Sequence, residues 1–248
     1  MCFLILISPT KSELGHVSKQ ILNRLIKSVF NTTNVNLWKS TQEVLQWFRY
    51  FPEKEQGTFI NFDIVEFYPS ISEKLLRKAI GFARHYTTIQ DYEIDIIIHT
   101  KRTVIFSKKE PWKKKDSDSG FNITMGSCDG AECCELVVVY MLSLLQPICG
   151  NTKATPRETE RIKKHICKIF KENGLKITIE ANKKVVNFLD VTLDLNTGEY
   201  MPYMKPNNVL QYVHTNHPPV ILKNIPKGVN KRLSEISSNE EVFNKAAP

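Results

Sequence analysis

Between Asp129 and Gln146 the sequence places apolar residues on nearly every side of a helix, with a ten-residue run from Leu136 to Leu145 interrupted only by Ser143. A helix that is apolar all round cannot face water and has to be enclosed by other elements. The rest of the chain must therefore supply its cover. The run is shorter than the roughly twenty apolar residues a bilayer span needs, so no spanning helix and no membrane partner are expected.

The cover is written as helical stripes. Leu14, Val17, Ile21, Leu22, Leu25, Ile26 and Val29 share one face of a helix from Ser12 to Phe30. Ser40 and Glu43 form a capping box that opens a helix through Phe51. Ser72 suits the cap of a helix with Leu75, Leu76, Ala79, Ile80 and Ala83 on one side, and a further helix is expected from Ile89 to His99. Asp129 fits the N-cap of the apolar helix. Thr155 and Glu158 make a second capping box, Pro156 takes the first helical position, and Ile162, Ile166, Ile169 and Phe170 stripe that helix until Asn173-Gly174 stops it.

Strands are read from alternation. Phe59 to Val65 puts Phe59, Asn61 and Asp63 on one face and Ile60, Phe62 and Ile64 on the other, and Pro69 closes it. Leu175 to Glu180 and Val185 to Leu195 are expected to form a hairpin, with Asp190, Thr192 and Asp194 on its solvent face. The opening Met1 to Ile7 has no basic residue before it and no small-residue cleavage site after it, so it reads as a buried strand. Helices mixed with separate strands make an α+β fold.

The chain has 248 residues, enough for one sizeable domain or two small ones, and its 42% hydrophobic content excludes a disordered chain. Its net charge of +8 is concentrated: Lys101, Arg102, Lys108, Lys109, Lys113, Lys114 and Lys115 face one acid, Glu110, and Phe106 and Trp112 lie among them. Basic side chains beside aromatics suit phosphates with stackable bases. A solvated lysine loop has the same composition. Cys2, Cys128, Cys133, Cys134, Cys149 and Cys167 show no metal-ligand spacing and are expected as reduced thiols in an intracellular protein, in nucleus or cytoplasm.

Phe62-Asp63-Ile64-Val65-Glu66-Phe67-Tyr68-Pro69-Ser70 resembles the first catalytic segment of reverse transcriptases, in which an aspartate ends a buried strand and an aromatic follows five residues on. Met125-Gly126-Ser127 resembles the second, and Glu172-Asn173-Gly174-Leu175 with Asn187-Phe188-Leu189-Asp190-Val191 is similar to the last helix, strand and primer-gripping hairpin of that palm. Lys205-Pro206, Tyr212, Asn216-His217-Pro218 and Lys223 resemble the stretch that follows in Penelope-like retroelement enzymes. The resemblance implies a ferredoxin-like palm over 58–205, partial fingers over 1–57 and a helical thumb fragment over 206–248. It assigns Asp63 to catalysis and Mg²⁺, and Ile64, Tyr68, Gly126 and Ser127 to the nucleotide. Tyr68 would crowd a 2′-OH and so select deoxynucleotides. It also makes RNA and DNA template-primer the partner and a dNTP the substrate.

One part of that pattern is missing. The third segment, an aromatic followed by two residues and paired aspartates at a hairpin tip, has no counterpart, because the chain contains no Asp-Asp. Gln146 to Ala154 holds no carboxylate, and two strands with a turn need about a dozen residues. Glu66 lies three residues from Asp63 and points the other way on an extended strand. The expectation is thus a degenerate, retroelement-derived RNA-directed DNA polymerase that binds nucleic acid, holds Mg²⁺ weakly and polymerises nothing. A basic RNA- or DNA-binding module, and an enzyme completed by another chain, stand as alternatives.

Overall fold

The computed structural model describes residues 12–33, 35, 37–38, 40–102, 105–107, 110–112, 120–149, 155–204 and 218–246. The Met1 to Ile7 strand, Cys2, Lys108, Lys109, Lys113 to Lys115, Lys205-Pro206, Tyr212 and Asn216-His217 lie outside them. In chain order the elements are α1 (Glu13–Thr32), α2 (Thr41–Tyr50), β1 (Phe59–Ile64), α3 (Phe67–Ser70), α4 (Glu73–Ala83) and α5 (Asp91–His99). These precede a short pair, β2 (Ile105–Ser107) and β3 (Glu110–Trp112), and two long helices, α6 (Gly130–Cys149) and α7 (Pro156–Glu172). Then come β4 (Ile177–Lys183), β5 (Val185–Phe188), β6 (Val191–Asp194), β7 (Tyr200–Pro202), α8 (Pro219–Glu235) and α9 (Glu240–Ala246). The class is α+β, as expected.

The chain divides into two compact units, one of Met1–Asn36, Phe62–Asn151 and Arg161–Ile179, the other of Leu37–Asn61, Thr152–Glu160 and Glu180–Pro248. In the first, α6 is the helix that α1 and α4 cover, and α5 packs on α1. Leu22, Leu25 and Val29 of α1, Leu76 and Ala79 of α4, Ile97 of α5, and Leu136, Val137 and Val139 of α6 are all inaccessible or nearly so. Helix α6 is long enough, and over an 18-residue window apolar enough (mean hydropathy 1.5), to cross a membrane by length and composition, which the ten-residue run alone does not show. Its contacts with α1 and α4 account for that apolar character within the fold.

Leu14 and Val17, assigned to the buried face of α1, are 48% and 42% exposed. The buried face turns instead through Gly15 and Ser18. These two meet the start of α6: a Cβ on Gly15 would lie 3.2 Å from Cys128 Cβ, and the Ser18 hydroxyl donates to Asp129. Apolarity marks neither residue, so a hydrophobic stripe misplaces the face by part of a turn.

The second unit has a core of Val44, Leu45, Phe48, Val191, Leu193, Leu195, Tyr200 and Ile236. Arg49 Nε donates to the Tyr200 hydroxyl at 2.9 Å. Here the strand reading needs correction. Val185 to Leu195 is two antiparallel strands, β5 and β6, joined at Leu189-Asp190, with β7 beside β6. Leu189 takes φ +54, the left-handed backbone such a two-residue turn requires. Asp190 therefore stands at the turn, where it accepts from Thr41 Oγ1 at 2.8 Å and from Arg232 Nε at 2.8 Å. Burial raises its pKa, but these bonds outweigh burial and hold it below the ordinary aspartate value.

Strand β4 pairs with β1 and not with β5, and the pair is a two-stranded sheet. The expected hairpin between residues 175 and 195 is thus replaced by two separate pairings. Lys184, just after β4, donates to the backbone carbonyls of Glu55 and Gly57 at 2.6 and 2.8 Å. No residue of β1 is fully buried.

Helix α6 runs to Cys149, three residues past the Gln146 read from the sequence, and carries Pro147 within it. The capping box at Thr155 forms as expected: Glu158 N donates to Thr155 Oγ1 at 3.3 Å and Thr155 N donates to Glu158 Oε2 at 2.8 Å. Only Gly150, Asn151, Thr152, Lys153 and Ala154 separate α6 from that cap. Five residues do not hold two strands and a turn.

Candidate functional site

Asp63 is the fifth residue of β1 and is exposed. Alternation sets it opposite Phe62, whose ring meets that of Phe170 on α7 at 5.3 Å between centroids, and Ile64 is half-buried beside it. The chain then leaves the strand sharply. Glu66 takes φ +48 and caps the single turn α3, where Ser70 N donates to Glu66 O at 3.1 Å and Ser70 Oγ donates to Val65 O at 3.3 Å.

That turn rests on α6 and brings Tyr68, half-buried, beside Cys134. Burial, then the neighbouring Cys134, pushes the Tyr68 hydroxyl above its usual value. Burial pushes the Cys134 thiol up to about 12, against the opposing effects of the neighbouring Tyr68 hydroxyl and the Lys101 charge. Both groups stay protonated near neutrality.

The second resembling segment forms the turn into α6. Met125 and Gly126 are exposed, Gly126 has φ +88, and Ser127 Oγ donates to Thr124 O at 3.0 Å. A Cβ on Gly130 would lie 2.9 Å from Thr124 O, so only glycine lets the helix begin this tightly. Cys134, beside Tyr68, is thus in the second turn of α6, and Gly126-Ser127 lie in the turn just before its first residue, at the same end.

Lys101 behaves differently from the phosphate-binding role its composition suggests. Lys101 is buried, its ammonium ion-paired with Asp129, and their side chains are 1% and 3% exposed. The same carboxylate also accepts from Ser18 and, at 3.2 Å, from Thr100 Oγ1. Lys101 therefore fastens the end of α5 to α6 and cannot reach a phosphate, and the Asp129 carboxylate is spent on that cluster although the residue stands at the N-cap position. Arg102 is exposed but held by Glu73 at 3.1 Å. A count of charges treats every lysine as solvated, and nothing local in the sequence marks this one as buried. Of the others, Trp112 pairs by backbone with Ile105 in the β2–β3 hairpin.

Asp63 is a poor donor set for the Mg²⁺ that the resemblance implies. Two ions need several hard carboxylate oxygens. Among the described residues no three His, Cys, Asp or Glu side chains gather as a metal-holding group. The residues present around Asp63 do not fit a pair of ions. No protein-family model matches the chain, and no curated protein matches it significantly.

Proposed function

We propose that the chain is a reverse-transcriptase domain of retroelement descent that binds RNA and DNA template-primer and does not polymerise on its own. In this reading β1, α6, α7 and β4 belong to a ferredoxin-like palm, the residues before β1 to partial fingers, and α8 and α9 to a thumb fragment. The observation that carries it is the meeting of the two resembling segments at one end of α6. Tyr68 lies beside Cys134 in the second turn of α6, and Gly126-Ser127 forms the turn that leads into the helix.

The five residues between α6 and the Thr155 cap support the absence of a third catalytic segment. So does the free edge of β1, where that hairpin would pair: β1 has β4 as its neighbour and no other described strand. Primer extension tests the enzymatic half. With an RNA template, a DNA primer, dNTPs and Mg²⁺ or Mn²⁺, no product beyond the primer is expected, and Asp63→Ala should leave that result unchanged. Extension abolished by Asp63→Ala would show an active enzyme and overturn the reading.

A further inference from the structure

Helix α7 has two unlike faces. Ile166 and Phe170 are buried, and Ile162 and Ile169 are half-buried beside them. At about 100° per residue, Arg161, Lys164, Lys168 and Lys171 fall within an arc of about 80° on the opposite side. All four are exposed. They span about 15 Å of helix at about 1.5 Å per residue.

Lys168 lies 3.8 Å from Glu172 with both side chains well exposed, a pair that solvent weakens. Among the described residues Arg161, Lys164 and Lys171 have no acidic side chain at ion-pair distance. The charge continues past the helix end. Lys78 of α4 donates to Asn173 Oδ1 at 2.9 Å, and Lys74, one turn earlier on α4, is exposed.

We propose that this row, from Arg161 to Lys171 and on to Lys78 and Lys74, is a track for the phosphate backbone of a nucleic acid. Like charges three and four residues apart repel along a helix, and the apolar face alone is enough to dock α7. A polyanion relieves that repulsion. The row offers point charges spaced along a rigid helix, which suits a repeating phosphate chain better than a particular peptide. The inference rests on the nucleic-acid reading above and names its surface.

The test combines Arg161→Gln, Lys164→Gln, Lys168→Gln and Lys171→Gln and measures binding to a template-primer duplex between about 50 and 200 mM salt. Each phosphate that a substitution leaves without its cation lowers the slope of log K against log salt by about 0.7 to 0.9. The expected slope change is therefore about 3, and Lys164→Gln alone should account for just under 1. The parallel variant Lys113→Ala, Lys114→Ala, Lys115→Ala reports on the other basic segment. If the α7 variants keep the full slope while that triple variant flattens it, the track is overturned and nucleic-acid binding stands. If the unmodified chain binds neither RNA nor DNA, both fall. Displacement of the duplex by poly-glutamate of equal charge at equal concentration would overturn the phosphate assignment in favour of an acidic protein.

Discussion

Replacing Lys101 with Met should lower the melting temperature of the first unit by about 10 °C or more. The side chain is of similar length and apolar, so the packing is kept and the charge is removed. Asp129 would then be a buried carboxylate with only the Ser18 and Thr100 hydroxyls to compensate it. Removing one partner of a buried pair costs about 3–5 kcal/mol, and in a chain of this size each kcal/mol moves the midpoint by about 2–4 °C. The double variant Lys101→Met, Asp129→Asn should recover most of that stability, because a carboxamide still accepts from both hydroxyls without a charge. Thermal unfolding of the three proteins separates the outcomes. A single variant melting within about 2 °C of the parent, less than one kcal/mol moves it, would mean that the pair contributes nothing and that Lys101 is available for another role.

The same pair marks where sequence reading stops. Ser40 and Ser72 each cap the helix assigned to them, because a cap and a stripe are local patterns complete within a few residues. Gly126-Ser127 as the entry to the apolar helix was legible for the same reason. The partner of Tyr68 was not, since Cys134 lies a whole helix pair away and looks like any other core residue. Nor were the pairing of β4 with β1 or the turn at Leu189-Asp190. Alternation along Val185 to Leu195 continues through the turn, and what breaks the strand is Asp190 bonding to Thr41 and Arg232 from distant parts of the chain.

A second large effect is expected from insertion. A hairpin of reverse-transcriptase pattern, about a dozen residues long, placed between Cys149 and Thr155 should raise both solubility and melting temperature. The residues of β1 are half-buried or exposed, and one of its edges pairs with no described strand. An unpaired edge invites association with other chains. Covering about 200 Å² of apolar surface at ~25 cal/mol per Å² would contribute on the order of 5 kcal/mol, a large share of a domain's stability. Size-exclusion chromatography and thermal unfolding of both versions decide it. Should the parent run as a monomer and melt as cooperatively and as high as the insertion variant, the β1 edge would not be the site of a missing hairpin.

Salt-dependent binding of a template-primer duplex by the unmodified chain addresses nucleic-acid recognition with least ambiguity. A basic surface touching at least three or four phosphates should weaken about fiftyfold in affinity between about 50 and 200 mM salt, with log K linear in log salt. RNA–DNA and DNA–DNA duplexes should show the same slope, because backbone contacts carry no base sequence. Absence of binding at about 50 mM salt, or an affinity indifferent to salt, would contradict a nucleic-acid-binding domain of this descent.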